Sequence, residues 1–255
     1  MNRFDLSGKV SMVTGAGRGI GREISLAYAE AGSHLVICSR TRGELDKLAE
    51  EIRTHGVEAL VVECDVTRHE QVQHLVDAAV ERFGRIDVLV NNAGMTTKKP
   101  AEDYLPEDWE RIIAVNLNGV FFVAQAVGRQ MLRQGGGRII NLSSIAADTA
   151  LTGSVAYCAS KGGVKMVTRV LAAEWAQRGI LVNALAPAYT ETPLVQAITE
   201  QRPDFADRVR ARTPMGRLAR PEEMVGAAVF LASEASSYVT GETLHVDGGW
   251  TAFGF

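Results

Sequence analysis

Thr14-Gly15-Ala16-Gly17-Arg18-Gly19-Ile20-Gly21 follows a short apolar run at Val10–Val13 and opens into an amphipathic stretch over Gly21–Ala31. A strand, a glycine-dense turn and a helix in that order let backbone N–H groups and a helix N-terminus meet a pyrophosphate, because no Cβ stands in the way. The spacing is Gly15-x-x-x-Gly19-x-Gly21 rather than G-x-G-x-x-G, and three glycines alone would also serve a tight turn. The turn still separates the two architectures that repeated strand–helix units allow in 255 residues, since a closed (β/α)8 barrel has no use for such a loop after its first strand. The expectation is an α/β fold, a Rossmann-like doubly wound parallel sheet of about seven strands with helices on both faces.

The rest of the chain repeats the alternation. Runs rich in Val, Ile and Leu at Leu35–Cys38, Ala59–Glu63, Val88–Val90, Arg138–Leu142, Ile180–Ala184 and Thr243–Val246 read as buried strands. Helical stretches lie between them at Gly43–His55, His69–Phe83, Pro106–Arg133 and Val155–Arg178. Thr67 precedes Glu70 at capping-box spacing, and Gly32, Gly56 and Gly84 stand where helices should stop. No linker, repeat or low-complexity segment divides residues 1–255, so one dinucleotide-binding domain is expected. Ala188–Pro221 is the least regular stretch, too long for an ordinary connection, and is expected to form a substrate lid.

Composition narrows the function. Hydrophobic residues make up 46% and charged ones 22%, and a net charge of −3 gives no ground for nucleic-acid binding. Cys38, Cys64 and Cys158 are too few and too scattered for a disulfide framework or a zinc site. Among the histidines only His69 and His74 are close, and five residues apart on a helix they do not share a face. No metal is expected. The stretch Met1–Lys9 lacks the apolar core of a secretion signal, and no apolar run approaches a membrane span, so the expectation is a cytoplasmic protein without a membrane partner.

At the end of the second strand, a dinucleotide site reads the adenosine ribose. An acid there would bond the 2′-hydroxyl of NAD and repel the 2′-phosphate of NADP. This chain has Cys38-Ser39-Arg40-Thr41-Arg42, with no acid. Arg40 can form paired hydrogen bonds to a phosphate, and Arg18 in the glycine loop can approach the same group, which points to NADP(H). Asp65-Val66, after the third strand, is placed to read an adenine edge, while a helix cap suits Asp65 equally well.

Tyr157 and Lys161 are i,i+4 in a helical stretch and share a face. A free tyrosine ionises at about pH 10, and a neighbouring ammonium is expected to lower that value and fit it for proton transfer. Ser144, just past the fifth strand, is placed to reach the same oxygen.

Taken together, Thr14-Gly15-x-x-x-Gly19-x-Gly21, Asn91-Asn92-Ala93-Gly94, Asn116, Ser144, Tyr157-x-x-x-Lys161 and Val246-Asp247-Gly248-Gly249 resemble the short-chain dehydrogenase/reductase family along essentially the whole chain. The resemblance implies that Tyr157 protonates a carbonyl oxygen as NADPH delivers hydride, with the reverse in the alcohol direction. It implies that Lys161 holds the nicotinamide ribose and lowers the tyrosine pKa, Ser144 orients the carbonyl, and Asn116 holds a water linking Lys161 to solvent. Gly15, Arg18, Gly19, Ile20, Gly21, Ser39, Arg40, Asp65, Val66, Asn91, Ala93 and Gly94 would contact the rest of the cofactor. Pro187, Thr190 and Thr192 would clasp the nicotinamide carboxamide. The family usually has Pro-Gly where this chain has Pro187-Ala188; if that glycine needs a positive φ, Ala188 would be strained or the loop would differ. Cys158 reads as a small helix residue.

Two substrate readings compete. A 3-oxoacyl-thioester reductase would dock an acidic carrier protein on two arginines; Arg129 matches one, but the other falls at Ala173. A sugar-acid or polyol dehydrogenase resembling gluconate 5-dehydrogenase draws on Lys98 and Lys99, two basic residues placed to meet a carboxylate. A general ketone reductase fits the sequence equally well, and outside the enzyme class stands a non-catalytic NADP-binding regulator. The family implies a homotetramer built through the long helices, where Val120, Phe121, Phe122, Val164, Val167, Leu171 and Trp175 are apolar, with Trp250–Phe255 packing on a neighbouring subunit.

Overall fold

Seven strands, each short and apolar, assemble into one parallel sheet in a computed structural model that describes residues 2–202 and 204–252. They are β1 (Val10–Thr14), β2 (His34–Ser39), β3 (Ala59–Glu63), β4 (Val88–Asn91), β5 (Gly137–Leu142), β6 (Ile180–Pro187) and β7 (Thr243–Val246). Their order is β3-β2-β1-β4-β5-β6-β7, and every pairing is parallel. The order runs outward in opposite directions from β1 and β4, so the crevice above their C-terminal ends is the topological switch point.

Helices cover both faces: α1 (Gly19–Glu30), α2 (Arg42–Arg53), α3 (His69–Phe83), α4 (Pro106–Ile113), α5 (Gly119–Gln134), α6 (Val155–Trp175), α7 (Pro193–Gln201), α8 (Phe205–Arg212) and α9 (Val225–Ala232). Alternate strand residues serve opposite cores. Met12, Val36, Leu89 and Ile139 pack with Val76, Val123 and Leu171 on one side. Val13, Ile37, Val90 and Ile140 pack with Ile24, Tyr28, Leu48 and Leu231 on the other. Burial on both faces is why the strands read as continuous apolar runs rather than alternating ones.

Several local expectations are corrected. Thr67 does not cap α3: Arg68 holds the N-cap position without a side-chain bond, and Thr67 N and Oγ1 instead donate to Asp65 Oδ1 at 3.0 and 2.8 Å. That Asx-type turn also removes the helix-cap role for Asp65. The Pro106–Arg133 helix is interrupted by a wide π turn over Ala114–Asn118. The whole run Pro106–Gln134 is long and apolar enough to cross a membrane by length and composition, against the expectation, yet it packs on α3, α6, β4 and β5. Of the apolar residues named for subunit contact, Val120, Val164, Leu171 and Trp175 are core and Phe121, Phe122 and Val167 are partly buried; the exposed apolar residues of α6 are instead Val155, Met166 and Val170. The expected lid is more regular than its sequence, for α7 and α8 pack through Val195, Ile198, Phe205 and Val209 against Ile145 and Trp250. Trp250 is buried, and Phe253, Gly254 and Phe255 lie outside the described residues.

Candidate active site

The glycine loop is held by a tie between neighbouring strands. Thr14 Oγ1, at the end of β1, accepts from Asn92 N at 3.0 Å and from Ala93 N at 3.1 Å, just past β4. Asn92 Nδ2 returns bonds to Thr14 O at 3.0 Å and Gly15 O at 2.9 Å. Gly15 has φ +63°, and a Cβ there would lie 2.9 Å from Ala93 Cα. A Cβ at Gly21 would collide with Asn92 Nδ2 and stand 2.7 Å from Gly15 O. These glycines therefore let the loop lie against β4. No side chain caps α1, so its first-turn N–H groups are open to an anion. The loop and helix fit a pyrophosphate. The sequence shows Thr14 and Asn92 only as parts of separate motifs; their pairing, across 78 positions, is visible only in the fold.

Next to the glycine loop, the cleft is lined by Arg18, Ser39, Arg40, Thr41, Asp65 and Val66, joined by Glu44 from α2. The β2 end is free of acid as read, but Glu44 brings a carboxylate that sequence reasoning missed, with Oε1 3.9 Å from Arg18 Nη1. Burial pushes the Asp65 carboxyl up, yet bonds from Thr67 and the charges of Arg40 and Arg68 outweigh it and hold it below its ordinary value. Ala93 and Gly94 line the cleft, as do Gly15, Gly19 and Ile20. Gly21, Asn91 and Asn116 stand behind the lining. Asn91 Nδ2 donates to Val120 O at 3.1 Å and Asn141 Oδ1 at 3.0 Å, bracing β4 against β5 and α5.

Ser144, Tyr157 and Lys161 share the inner wall of the cleft. The Ser144 hydroxyl accepts from Ala146 N at 3.1 Å, which turns the chain after β5. Lys161 is buried, its Nζ 5.7 Å from the centre of the Tyr157 ring and donating to Leu142 O at 2.6 Å. Burial holds the ammonium down at about 8. Burial also raises the Tyr157 phenol above its ordinary value, although its hydrogen bond with Ser144 pulls the other way. The expected lowering of the tyrosine by Lys161 is not met in the protein alone. Both groups are desolvated there, and the ammonium is bonded to a carbonyl.

Asn116 sits in the π turn, fully buried. Its Oδ1 accepts from Met95 N at 2.9 Å, and its Nδ2 donates to Met95 O at 2.8 Å and Ser160 Oγ at 3.3 Å. Ser160 Oγ in turn donates to Tyr157 O at 2.7 Å. Asn116 thus fixes the backbone of the 95–100 loop and is tied to the tyrosine's own turn of helix.

Beyond the tyrosine the cleft is lined by Lys98, Leu151, Tyr189, Leu194 and Ile198. Lys98 Nζ lies over two rings, 4.9 Å from the centre of Phe205 and 5.6 Å from Tyr189. Burial, then the charge of Arg202, pulls its ammonium below its ordinary value. Lys99 faces away, its Nζ bonded to Asp108 Oδ2 at 2.5 Å, so only one of the two lysines meets the cleft. Pro187, Thr190 and Thr192 all reach the lining. No non-glycine residue has a positive φ among the described residues, so Ala188 carries none of the expected strain. Also among the described residues, no group of three or more His, Cys, Asp or Glu side chains is arranged to hold a metal.

A family model described as Enoyl-(Acyl carrier protein) reductase matches residues 15–251. The chain is 41% identical over 249 residues to gluconate 5-dehydrogenase of Gluconobacter oxydans, covering 97% of this chain and 96% of that protein. It is 40% identical over 244 residues to a 3-oxoacyl-(acyl-carrier-protein) reductase of Thermotoga maritima, covering 96% and 98%. The crystal structure of a gluconate 5-dehydrogenase from Burkholderia cenocepacia, in complex with NADP and tartrate, superposes with a TM-score of 0.95 at 43% identity, covering 99% of both chains.

Proposed function

The chain belongs to the short-chain dehydrogenase/reductase family of oxidoreductases, whose members matched here are named for work on alcohols and ketones, and from that footing we propose that it interconverts a sugar-acid ketone and its secondary alcohol with NADP(H). The observation that carries the reading is the meeting of Ser144, Tyr157 and Lys161 on one wall of a cleft whose other end is the glycine loop.

Gly15, Gly19, Ile20 and the start of α1 would hold the pyrophosphate, with Arg18, Ser39 and Arg40 around the adenosine 2′-phosphate and Pro187, Thr190 and Thr192 around the nicotinamide. The reduced nicotinamide, when bound, supplies the hydride. Tyr157 donates its phenolic proton to the carbonyl oxygen as the carbon is reduced, and accepts it back when the alcohol is oxidised. Ser144, bonded to the phenol, fixes where that oxygen sits. Lys161 places its charge beside the nucleotide ribose, and Asn116 keeps the Met95 loop in register with the tyrosine.

NADP(H) is preferred over NAD(H) on Arg18, Arg40 and the acid-free end of β2, and the Burkholderia relative was crystallised with NADP. The sugar-acid reading rests on Lys98, a half-buried cation of the substrate wall, and on the two relatives named gluconate 5-dehydrogenase. The thioester reading draws on the Thermotoga relative, but of the two docking arginines only Arg129 stands exposed on α5, and position 173 is alanine. A non-catalytic role has no observation in its favour. Met166 and Val170, exposed on α6, support assembly as a homotetramer through the long helices.

Oxidation of NADPH or NADH, followed by absorbance with 5-ketogluconate, an acetoacetyl thioester and simple aryl ketones, tests the reading. Turnover is expected with the keto acid and NADPH. Tight nucleotide binding without turnover of any ketone would overturn it.

A further inference from the structure

Glu44 is placed where it opposes the two arginines. It enters from the first turn of α2 and lies against the glycine loop, where position 17 has no side chain: a Cβ on Gly17 would stand 2.6 Å from Glu44 Oε2 and 2.9 Å from Glu44 Cβ. The absent Cβ makes room for this carboxylate at the adenosine end of the cleft, among Arg18, Ser39, Arg40 and Thr41. Its oxygen is 3.9 Å from the Arg18 guanidinium, a loose and largely exposed pair. Held that weakly, Arg18 is free to exchange the carboxylate for a phosphate.

We infer that Glu44 limits the preference for NADP(H) and keeps NAD(H) usable, an inference that rests on reading the cleft as a dinucleotide site. A 2′-phosphate arriving between Arg18 and Arg40 brings about two negative charges beside the carboxylate and must compete with it for Arg18. An unphosphorylated ribose meets the same carboxylate as a hydrogen-bond acceptor for its 2′-hydroxyl, the service an acid at the end of β2 renders in other dinucleotide sites. One side chain therefore works against the phosphate and for the hydroxyl. Arg18 and Arg40 act in the opposite sense. Asp65 is a second acid within reach of Arg40, but its oxygen Oδ1 is already engaged by Thr67 N and Oγ1.

Calorimetric binding of adenosine 2′,5′-bisphosphate and of 5′-AMP isolates the 2′-phosphate from the chemistry of hydride transfer. Glu44→Gln and Glu44→Ala are each expected to raise the affinity ratio of bisphosphate to AMP about three- to tenfold at low salt, with the gain shrinking as salt screens the charges. Arg18→Gln is expected to lower the ratio, and adding Glu44→Gln to it should restore less than in the wild-type background, because part of the effect is competition for that arginine. A ratio unchanged within about twofold in both Glu44 variants, or one that falls, would overturn the proposal while leaving the dinucleotide reading intact. Failure of the wild-type protein to bind either nucleotide would overturn both.

Discussion

The Lys161 ammonium donates to the backbone carbonyl of Leu142 at 2.6 Å, so the charge carried by α6 beside Tyr157 is anchored on the last residue of β5. The bond fixes Nζ beside Tyr157 but only partly offsets the loss of hydration. Burial leaves the lysine at about 8 against 10.5 for a free side chain. Because the folded value is the lower one, the unfolded chain binds more protons between those limits, and stability rises with pH across that window. Below pH 8 the full penalty applies, and by its size it costs about 3 kcal/mol. Lys161→Met keeps the length of the side chain without the charge. Its urea unfolding is expected to show about 1–3 kcal/mol more stability than wild type at pH 7, with the gap closing as the pH rises towards that of a free lysine. A variant weaker than wild type at both pH values would show that the Leu142 bond outweighs desolvation.

Tyr157→Phe removes the proton that the mechanism needs and little else, since the ring stays and only the bond with Ser144 is lost. Turnover is expected to fall by about a thousandfold or more, within the range ascribed to a positioned acid, while NADPH affinity stays within a few-fold. Stopped-flow hydride transfer and fluorescence titration separate the two quantities. Retention of a tenth of the wild-type rate would move the proton donor elsewhere.

Gly21 and Gly43 make a matched pair of helix glycines. A Cβ at Gly21 runs into Asn92 and the Gly15 carbonyl, so Gly21→Ala must push the glycine loop off the β1–β4 tie. A Cβ at Gly43 meets nothing within 4 Å. Gly21→Ala is expected to lower the melting temperature and weaken nucleotide binding by about tenfold or more, whereas Gly43→Ala should be neutral or stabilising by up to about 1 kcal/mol. Equal effects in thermal melts and titrations would show that the close approach of Gly21 does not hold the loop.

Much of this was legible in the chain before folding, and the reasons are physical. Strands buried on both faces leave uninterrupted apolar runs, and a helix puts Tyr157 and Lys161 on one face by spacing alone. What stayed hidden depends on neighbours distant in sequence. In the sequence Glu44 is one acid among several, because its approach to the cleft is set by how α2 lies over Gly17. The Thr14–Asn92 tie needs β1 and β4 to be adjacent. The π turn at Asn116 has no composition signature, for its residues continue the helical pattern on both sides. Thr67 has the spacing of a cap, yet its N–H and hydroxyl are both taken by Asp65. Lys98 and Lys99 are indistinguishable as letters; the position of Asp108 on α4 decides which of them is withdrawn from the cleft.

Lys98 is the side chain on which the substrate reading turns. Among the described residues it pairs with no carboxylate; its ammonium rests on the faces of Tyr189 and Phe205, and Arg202 and Arg208 add positive charge around it. Arg208 has Asp204 at 3.7 Å, whereas the two rings beneath Lys98 attract a cation without neutralising it. A half-buried cation in that state gains from an anionic group on the substrate. Lys98→Met keeps the apolar stem against the rings and removes the charge. The ratio of kcat/KM for 5-ketogluconate to that for a neutral ketose of similar size is expected to fall about tenfold or more, mainly through KM of the acid. Lys98→Arg should recover part of the ratio, because either cation can meet a carboxylate. A variant in which both substrates suffer alike would mean that Lys98 only holds the 95–100 loop to Tyr189 and Phe205, and the preference for an acid would then have to come from another residue.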